Sequence, residues 1–441
     1  MQKQNCPPDK YENFHLALQD LYDKTPIKLS LKDSKMEFNI NIWDEVVKWL
    51  HEQGKFTPEM LTEEPARNLI GETHRILSDA VHLSITEEVP PELTAQLEQN
   101  TYVFSAFKGY HNLKEASLKL TNDKGGIKPF ETFKQDVLKV HKSYNVNYLE
   151  AEYNFAVQSA QMAVKWADYV ADGDRYYLQY RTADDSKVRA EHAALHGTTL
   201  PVDDPFWDNY FPPLGWNCRC TAVQVRKDKY PVSDSTTAIQ AGERATESKK
   251  QQMFRFNPGK EGKVFPPKHP YLPKGCEGCK KNSSINLVFD SPKTKCKVCS
   301  KSNSNLIKWS RNSVREHFKK IFKGKTEEWK VNDGVIDKLS VSYQDIKTLT
   351  GKPHEYPYAR NMSVFYLKKL LKQAKYVGSS PDIKTGNTKS HNNVVMWHYY
   401  EIPFMGQKSY LEIKEYNDGV MSPHHIQDEK HFDVNKIKKQ G

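Results

Sequence analysis

The clearest hydrophobic pattern along the chain lies between Asn147 and Tyr169, NYLEAEYNFAVQSAQMAVKWADY. There Leu149, Tyr153, Ala156, Val157, Ala160, Val164 and Ala167 recur at intervals of three and four, which predicts one long helix with a single apolar stripe. Earlier, NINIWDEVVKWL places Ile42, Val46, Val47 and Leu50 at helical spacing, and TPEMLTEEPARNLIGETHRIL opens on a Thr-Pro start signal. Core packing accounts for all three runs. After ADGD the period changes: YYLQY and TAVQV read as short strands, and the Pro, Gly and Asp-rich stretch between them must be a long ordered loop. Phe206, Trp207, Tyr210, Phe211 and Trp216 supply the apolar material to order it.

Further on, residues 233–270 turn polar and read as a helix followed by an extended linker. Beyond residue 304, SVREHFKKIF and NMSVFYLKKLLKQAKYV read as helices, while NVVMWHYYEIPF and KSYLEIKEY alternate as a β-hairpin does. The expected architecture is multidomain α+β. It comprises a helical extension (1–60), a mostly helical domain with a small β element (61–232), a linker (233–270), a cysteine module (271–303) and a small α+β domain with an antiparallel sheet (304–441).

Composition sharpens this picture. The 441 residues are 37% hydrophobic and 27% charged, enough apolar content for cores of ordinary size. The formal net charge of +10 is unevenly spread. Residues 1–240 hold 27 Lys and Arg against 35 Asp and Glu, residues 241–300 hold 13 against 5, and residues 301–441 hold 25 against 15. An acidic front joined to a basic back suggests a nucleic-acid partner for the back, although a lysine-rich solvated surface gives the same count. The opening MQKQNCPPDKYENF lacks the basic and apolar regions of a secretory signal, and no run approaches a membrane span of ~18 apolar residues. The expectation is a protein made in the cytoplasm with no membrane partner.

Three constellations could carry chemistry. Cys276-x2-Cys279, then 16 residues, then Cys296-x2-Cys299 has the spacing of a four-thiolate zinc ribbon, with structural zinc at ~2.3 Å from each sulfur; two disulfides are the alternative in an oxidising compartment. Cys218 and Cys220 in GWNCRC, with His192 and His196 upstream, could form a second metal site, or pack as small buried hydrophobes beside Trp207 and Trp216. The back of the chain gathers His354, His391, His398, His424 and His425 among basic and aromatic residues. Metal-independent RNA cleavage needs a base for the 2′-hydroxyl, an acid for the leaving oxygen and cations facing the phosphorane. Histidines can serve as base and acid, Arg360, Lys352 and Lys414 can supply charge, and Tyr358 or Tyr400 can stack a base.

Two resemblances follow from these residues. The stretch RYYLQYRTADDSKVRAEHAALHGTTLPVDDPFWDNYFPPLGWNCRC, with the helix before it, resembles the phage Mu F-like head morphogenesis family over about residues 60–226. That resemblance implies a minor head protein partnered by phage portal and capsid proteins, inside the head of the virion, with His192, Cys218 and Cys220 as signature residues rather than catalysts. The region 305–435, with KPHEYPYARN, a helix ending in QAKYV, then VVMWHYY and LEIKEY, resembles the phage-associated nucleases of the barnase, EndoU, colicin-nuclease and RelE-like group. It implies a toxin-like RNase with a cognate immunity protein, His354 and His398 as acid and base, Arg360 and Lys414 as charge stabilisers and Tyr400 beside them. The competing expectation is a purely structural capsid protein whose basic back binds packaged DNA without catalysis.

Overall fold

The computed structural model describes residues 11–22, 36–85, 89–272, 296–331, 335–382, 393–433 and 437. The protein is mixed helix and sheet, 52% helical, with small antiparallel sheets, as the α+β expectation requires. It divides into two compact units, Met1–Phe289 with Lys293–Ser302, and Asp290–Pro292 with Asn303–Gly441. No helix among the described residues is long and apolar enough to cross a membrane.

Six longer helices open the first unit: α1 (Tyr11–Tyr22), α2 (Ile40–Gln53), α3 (Glu64–Ser84), α4 (Pro91–Ser117), α5 (Phe130–His141) and α6 (Tyr148–Ala171). Local chemistry sets their ends. The Asn39 side chain accepts from Asn41 N–H at the start of α2, and Gly54, at φ 63°, closes it with a bond to Leu50 O. Trp43, Val46, Val47, Trp49 and Leu50 are buried, each stabilising the fold by roughly 1.5–3 kcal/mol. Helices α3 and α4 both carry proline in the first turn. They pack closely at Gly109, where a Cβ would sit 2.7 Å from Ile70 Cγ1.

In α6 the expected stripe is buried at Leu149, Tyr153, Ala156, Ala160 and Val164. The helix buries more than a stripe, however, because Glu152 is also fully inaccessible and pairs with buried Lys108 of α4. Tyr22 O–H donates to Glu152 Oε1 at 2.8 Å and lies 3.1 Å from His269 Nε2. Burial raises the Glu152 pKa and lowers that of Lys108, each toward its neutral form, while their mutual attraction opposes both shifts.

The linker expected over 233–270 is folded instead. It forms α9 (Ser235–Ala245), α10 (Lys249–Gln252) and α11 (Pro258–Glu261), and Phe254, Phe256, Val264, Phe265 and Tyr271 are buried. Phe265 stacks on Phe104 at 3.8 Å, and Asn100 Oδ1 accepts from Val264 N–H and Phe265 N–H. These apolar residues follow no helical or strand period, so they docked a strap that periodicity could not reveal.

This strap gives the unit an acid sensitivity. His111 stacks on Phe14 at 4.1 Å, its Nε2 is 3.1 Å from Tyr271 O, and burial pushes its pKa down to about 3. Burial also holds His269 well below the ordinary histidine value, with Lys108 adding repulsion. Both are bases depressed by folding, so between their folded pKa and ~6.5 the unfolded chain binds more protons. Their contribution is complete above ~6.5 and is lost as pH falls. Denaturant unfolding of the first unit should show roughly 2–3 kcal/mol less stability at pH 5.5 than at pH 7, about half of it removed by His111→Phe.

Between α6 and α9 lies a three-stranded antiparallel sheet, β2–β1–β3, from β1 (Tyr176–Arg181), β2 (Thr199–Leu200) and β3 (Thr221–Arg226). The long connection holds the short helices α7 (Ala190–Ala193) and α8 (Phe206–Tyr210), and all five of its aromatics between 206 and 216 are buried.

The second unit uses α12 (Lys297–Phe322) beyond residue 302, a hairpin of β4 (Glu327–Lys330) and β5 (Lys338–Val341), and three helices, α13 (Tyr343–Leu349), α14 (Pro357–Phe365) and α15 (Leu367–Leu370). A four-stranded antiparallel meander completes it: β6 (Lys375–Pro381), β7 (Val394–Glu401), β8 (Ser409–Tyr416) and β9 (Met421–Asp428). The helix expected to run through QAKYV stops at Leu370, and Lys375, Tyr376 and Val377 belong to β6, with Tyr376 opposite Tyr400. Pairing with β7 outweighs the helical period there. One face of the sheet, carrying Tyr400, Leu411, Ile413 and Ile426, packs with Val314, Phe318 and Phe322 of α12.

Candidate functional site

In the first unit the long connection brings three ligand-type side chains together. His192 sits on α7, and Cys218 and Cys220 lie on the turn that leads into β3, with Asn217 at φ 53° bending the backbone between Trp216 and Cys218. All three side chains are buried, and their ligand atoms lie within 4.8 Å of one another. His192 Nδ1 is 3.7 Å from Cys218 Sγ and 3.6 Å from Cys220 Sγ. Tetrahedral zinc with ~2.3 Å to sulfur and ~2.0–2.1 Å to nitrogen sets those N to S separations at ~3.6 Å. The donor set fits the metal in chemistry and in spacing, and the same separations suit S–H to nitrogen hydrogen bonds.

The surroundings favour negative sulfur. Hydrogen bonding from Cys220, aided by His192, holds the Cys218 thiol well below its ordinary pKa against the burial penalty, while the same Cys218 partnership pushes Cys220 up. The ionisation of each sulfur is thus tied to that of the other. A divalent cation is the ordinary means of ionising both. Around them, Arg189 donates to Trp216 O at 2.7 Å, Arg219 forms a two-pronged pair with Asp185 at 2.5 Å, and the buried Tyr180 hydroxyl faces Cys220. Asn154 of α6 donates to Asn217 Oδ1 at 3.2 Å, tying the turn to the helical core. Tyr180, Arg189 and Asn217 carried no metal-ligand pattern in the sequence, and only their position beside GWNCRC could have flagged them.

The four-thiolate ribbon is only half visible. Cys276 and Cys279 lie outside the described residues, while Cys296 immediately precedes α12 and Cys299 falls in its first turn, both buried.

In the second unit the five expected catalytic residues do not form one group. His398 Nε2 is 2.9 Å from Glu415 Oε2 and its Nδ1 is 3.5 Å from the Tyr376 hydroxyl. Its register opposite Ile413 puts it on the face that carries the core. Tyr400 is buried in that core. Arg360 is 1% exposed and donates to Lys352 O at 2.5 Å, Thr350 O at 3.1 Å and Asn361 Oδ1 at 3.0 Å, so it braces the turn before α14. His391 lies outside the described residues.

His354 and Lys414 belong to a different assembly, on the opposite face. There Lys414 pairs in register with Trp397, its Nζ 5.5 Å from the ring centre, and Glu412 pairs with His425, Nδ1 to Oε2 3.6 Å. The β8–β9 register skips His424, a bulge that turns it toward the same side. Its ring centre is 5.3 Å from Trp397, and its Nε2 is 2.6 Å from Lys352 Nζ. His354 joins at the edge, where burial pushes its pKa down to about 4 despite nearby Asp428. Burial also lowers the Lys352 and Lys414 amines. Glu412 and Trp397 were missed in the sequence, yet the alternation of Leu411 and Ile413 with Glu412 and Lys414 places the latter pair on the non-core face.

Comparison with known proteins places the first site. Residues 124–223 match the family model described as Phage Mu protein F like protein. The chain is 42% identical over 69 residues to "Putative capsid assembly protein F" of Escherichia phage Mu, covering 15% of this chain and 16% of that protein. It is 38% identical over 84 residues to the Mu-like prophage FluMu F protein of Haemophilus influenzae, covering 17% of this chain and 20% of that protein. The chain thus aligns with at most a fifth of either relative. No solved structure matches. Residues 124–223 of this chain are thus similar to the Mu F-like family, and His192, Cys218 and Cys220 all lie inside that match.

Proposed function

We propose that the chain is a capsid-assembly protein of a tailed phage or prophage, held in the virion head with portal and capsid proteins as partners, and that zinc on His192, Cys218 and Cys220 fixes the long connection of its Mu F-like domain. The match over residues 124–223, which encloses those three residues, carries this reading. The metal's role is structural. It would ionise both thiols and tie α7 to the turn before β3. Metal analysis of the full-length protein should find zinc, reduced by one equivalent in a Cys218→Ser, Cys220→Ser variant; an unchanged content would end the assignment. Stripping the metal should cost about 3 kcal/mol at free zinc a hundredfold above Kd, lowering the melting point of the first unit by roughly 6–12 °C. Co-purification of the protein with assembled heads, lost in a phage lacking residues 124–223, tests the capsid role.

A second reading concerns the rear of the chain, where the non-core sheet face favours an RNase effector with RNA as substrate and an immunity protein as inhibitor. Glu412 and His425 stand together as base and acid, Lys352 and Lys414 face the phosphate, and Trp397 offers a stacking surface for a base. In that step the base takes the 2′-hydroxyl proton, O2′ bonds to phosphorus, and the acid protonates the departing O5′. This arrangement replaces the pairing of His354 with His398, because those two occupy different surroundings. If the same lysines only hold packaged DNA, binding will weaken steeply with salt and no strand will be cut.

A further inference from the structure

The three-residue metal set leaves one tetrahedral position unfilled among the described residues. A cavity of about 10 Å³ adjoins His192, Cys218 and Cys220, and its remaining wall includes Lys187, Arg189, Asn217 and Arg219. That volume is about the space of one small molecule the size of water. A second cavity, of about 320 Å³, borders His192 and Arg189, which it shares with the first, and its wall also carries Asp20 and Glu191. His192 Nε2, buried and without a hydrogen-bond partner, adds a polar atom that the protein does not satisfy.

Charge selects what could fill the position. Two thiolates neutralise a divalent ion, and a histidine adds none, so the ligand set itself neither attracts nor repels an anion. The rim decides the sign. Asp185 pairs with Arg219 and also attracts exposed Lys187, which forms no ion pair among the described residues, while the Arg189 side chain donates to the Trp216 carbonyl. Among the described residues no fourth protein ligand closes the position, and three cations, Lys187, Arg189 and Arg219, border it with the single carboxylate of Asp185 beside them.

We propose that the Mu F-like domain holds its metal with an exchangeable fourth position that takes a small anion from solution. The proposal rests on the metal assignment made above, and its test separates the two. The full-length protein, freed of metal and loaded with one equivalent of Co(II), should show sulfur-to-cobalt charge transfer and strong tetrahedral d–d bands, absent in the Cys218→Ser, Cys220→Ser variant. Azide should then shift the d–d bands with saturation, and Lys187→Met should raise the azide Kd about fivefold with the starting spectrum intact. Arg189→Met should do the same, unless loss of the Trp216 contact alters the starting spectrum, in which case Lys187→Met decides. Failure to bind cobalt at the two cysteines overturns the metal assignment itself. Cobalt bound with no saturable azide response, or with a third sulfur in X-ray absorption, overturns only the open position.

Discussion

Glu412→Gln in the full-length protein should lower cleavage of single-stranded RNA by about 10²–10³-fold, with the fold and the melting point nearly unchanged. The magnitude follows from removing a positioned proton acceptor, and the structural effect is small because Gln keeps the contact with Gln427 and the shape of the side chain beside His425. His425→Gln should show a loss of similar size. His398→Gln, by contrast, should leave cleavage within a few-fold, since its contacts are to Glu415 and Tyr376 on the core side. Incubation with RNA in the presence of EDTA and separation on a denaturing gel reads all three. RNA left intact by the unaltered protein would remove the RNase reading altogether, and activity that survives Glu412→Gln but vanishes in His398→Gln would return the site to the core side.

The second large effect lies in the helical core. Lys108→Ala should destabilise the first unit by roughly 3–5 kcal/mol, because it leaves the Glu152 carboxylate buried without its cation. Replacing both members, as Lys108→Met with Glu152→Leu, should recover most of that loss, since two apolar side chains carry no desolvation penalty. Tyr22 would then lose its acceptor, so the double variant should stay slightly below the parent. Denaturant melts of the three proteins give the comparison directly. A Lys108→Ala loss under 1 kcal/mol would mean that water reaches the pair.

How much of this was legible before the fold was known depends on periodicity. The stripe of α6 and the run around Val46 announced themselves because each repeats with the turn of a helix. The polar members of the same helices did not. Nothing in the local pattern distinguishes Glu152 from an exposed glutamate, since its partner stands 44 residues away. The metal cluster was legible as residue types, and its spacing in space depended on the turn at Asn217. On the rear sheet, the histidines drew attention by their number, but which of them share a face is decided by strand register and by one bulge at His424. A single skipped residue changes which side chains meet, and single-sequence reading does not resolve it.

The Tyr22 to His269 contact spans 247 residues, and that separation sets an order of events during synthesis. At 5–20 residues per second the ribosome needs about 12–50 s to produce the strap after α1 has emerged. During that interval α1 has no His269 to meet, and the Lys108–Glu152 pair lacks the ring of Tyr271 beside it. The helical core is thus assembled around a vacancy that only late-made residues can close, so a nascent chain cut before residue 265 should be captured by chaperones, whereas one extended past 272 should be released.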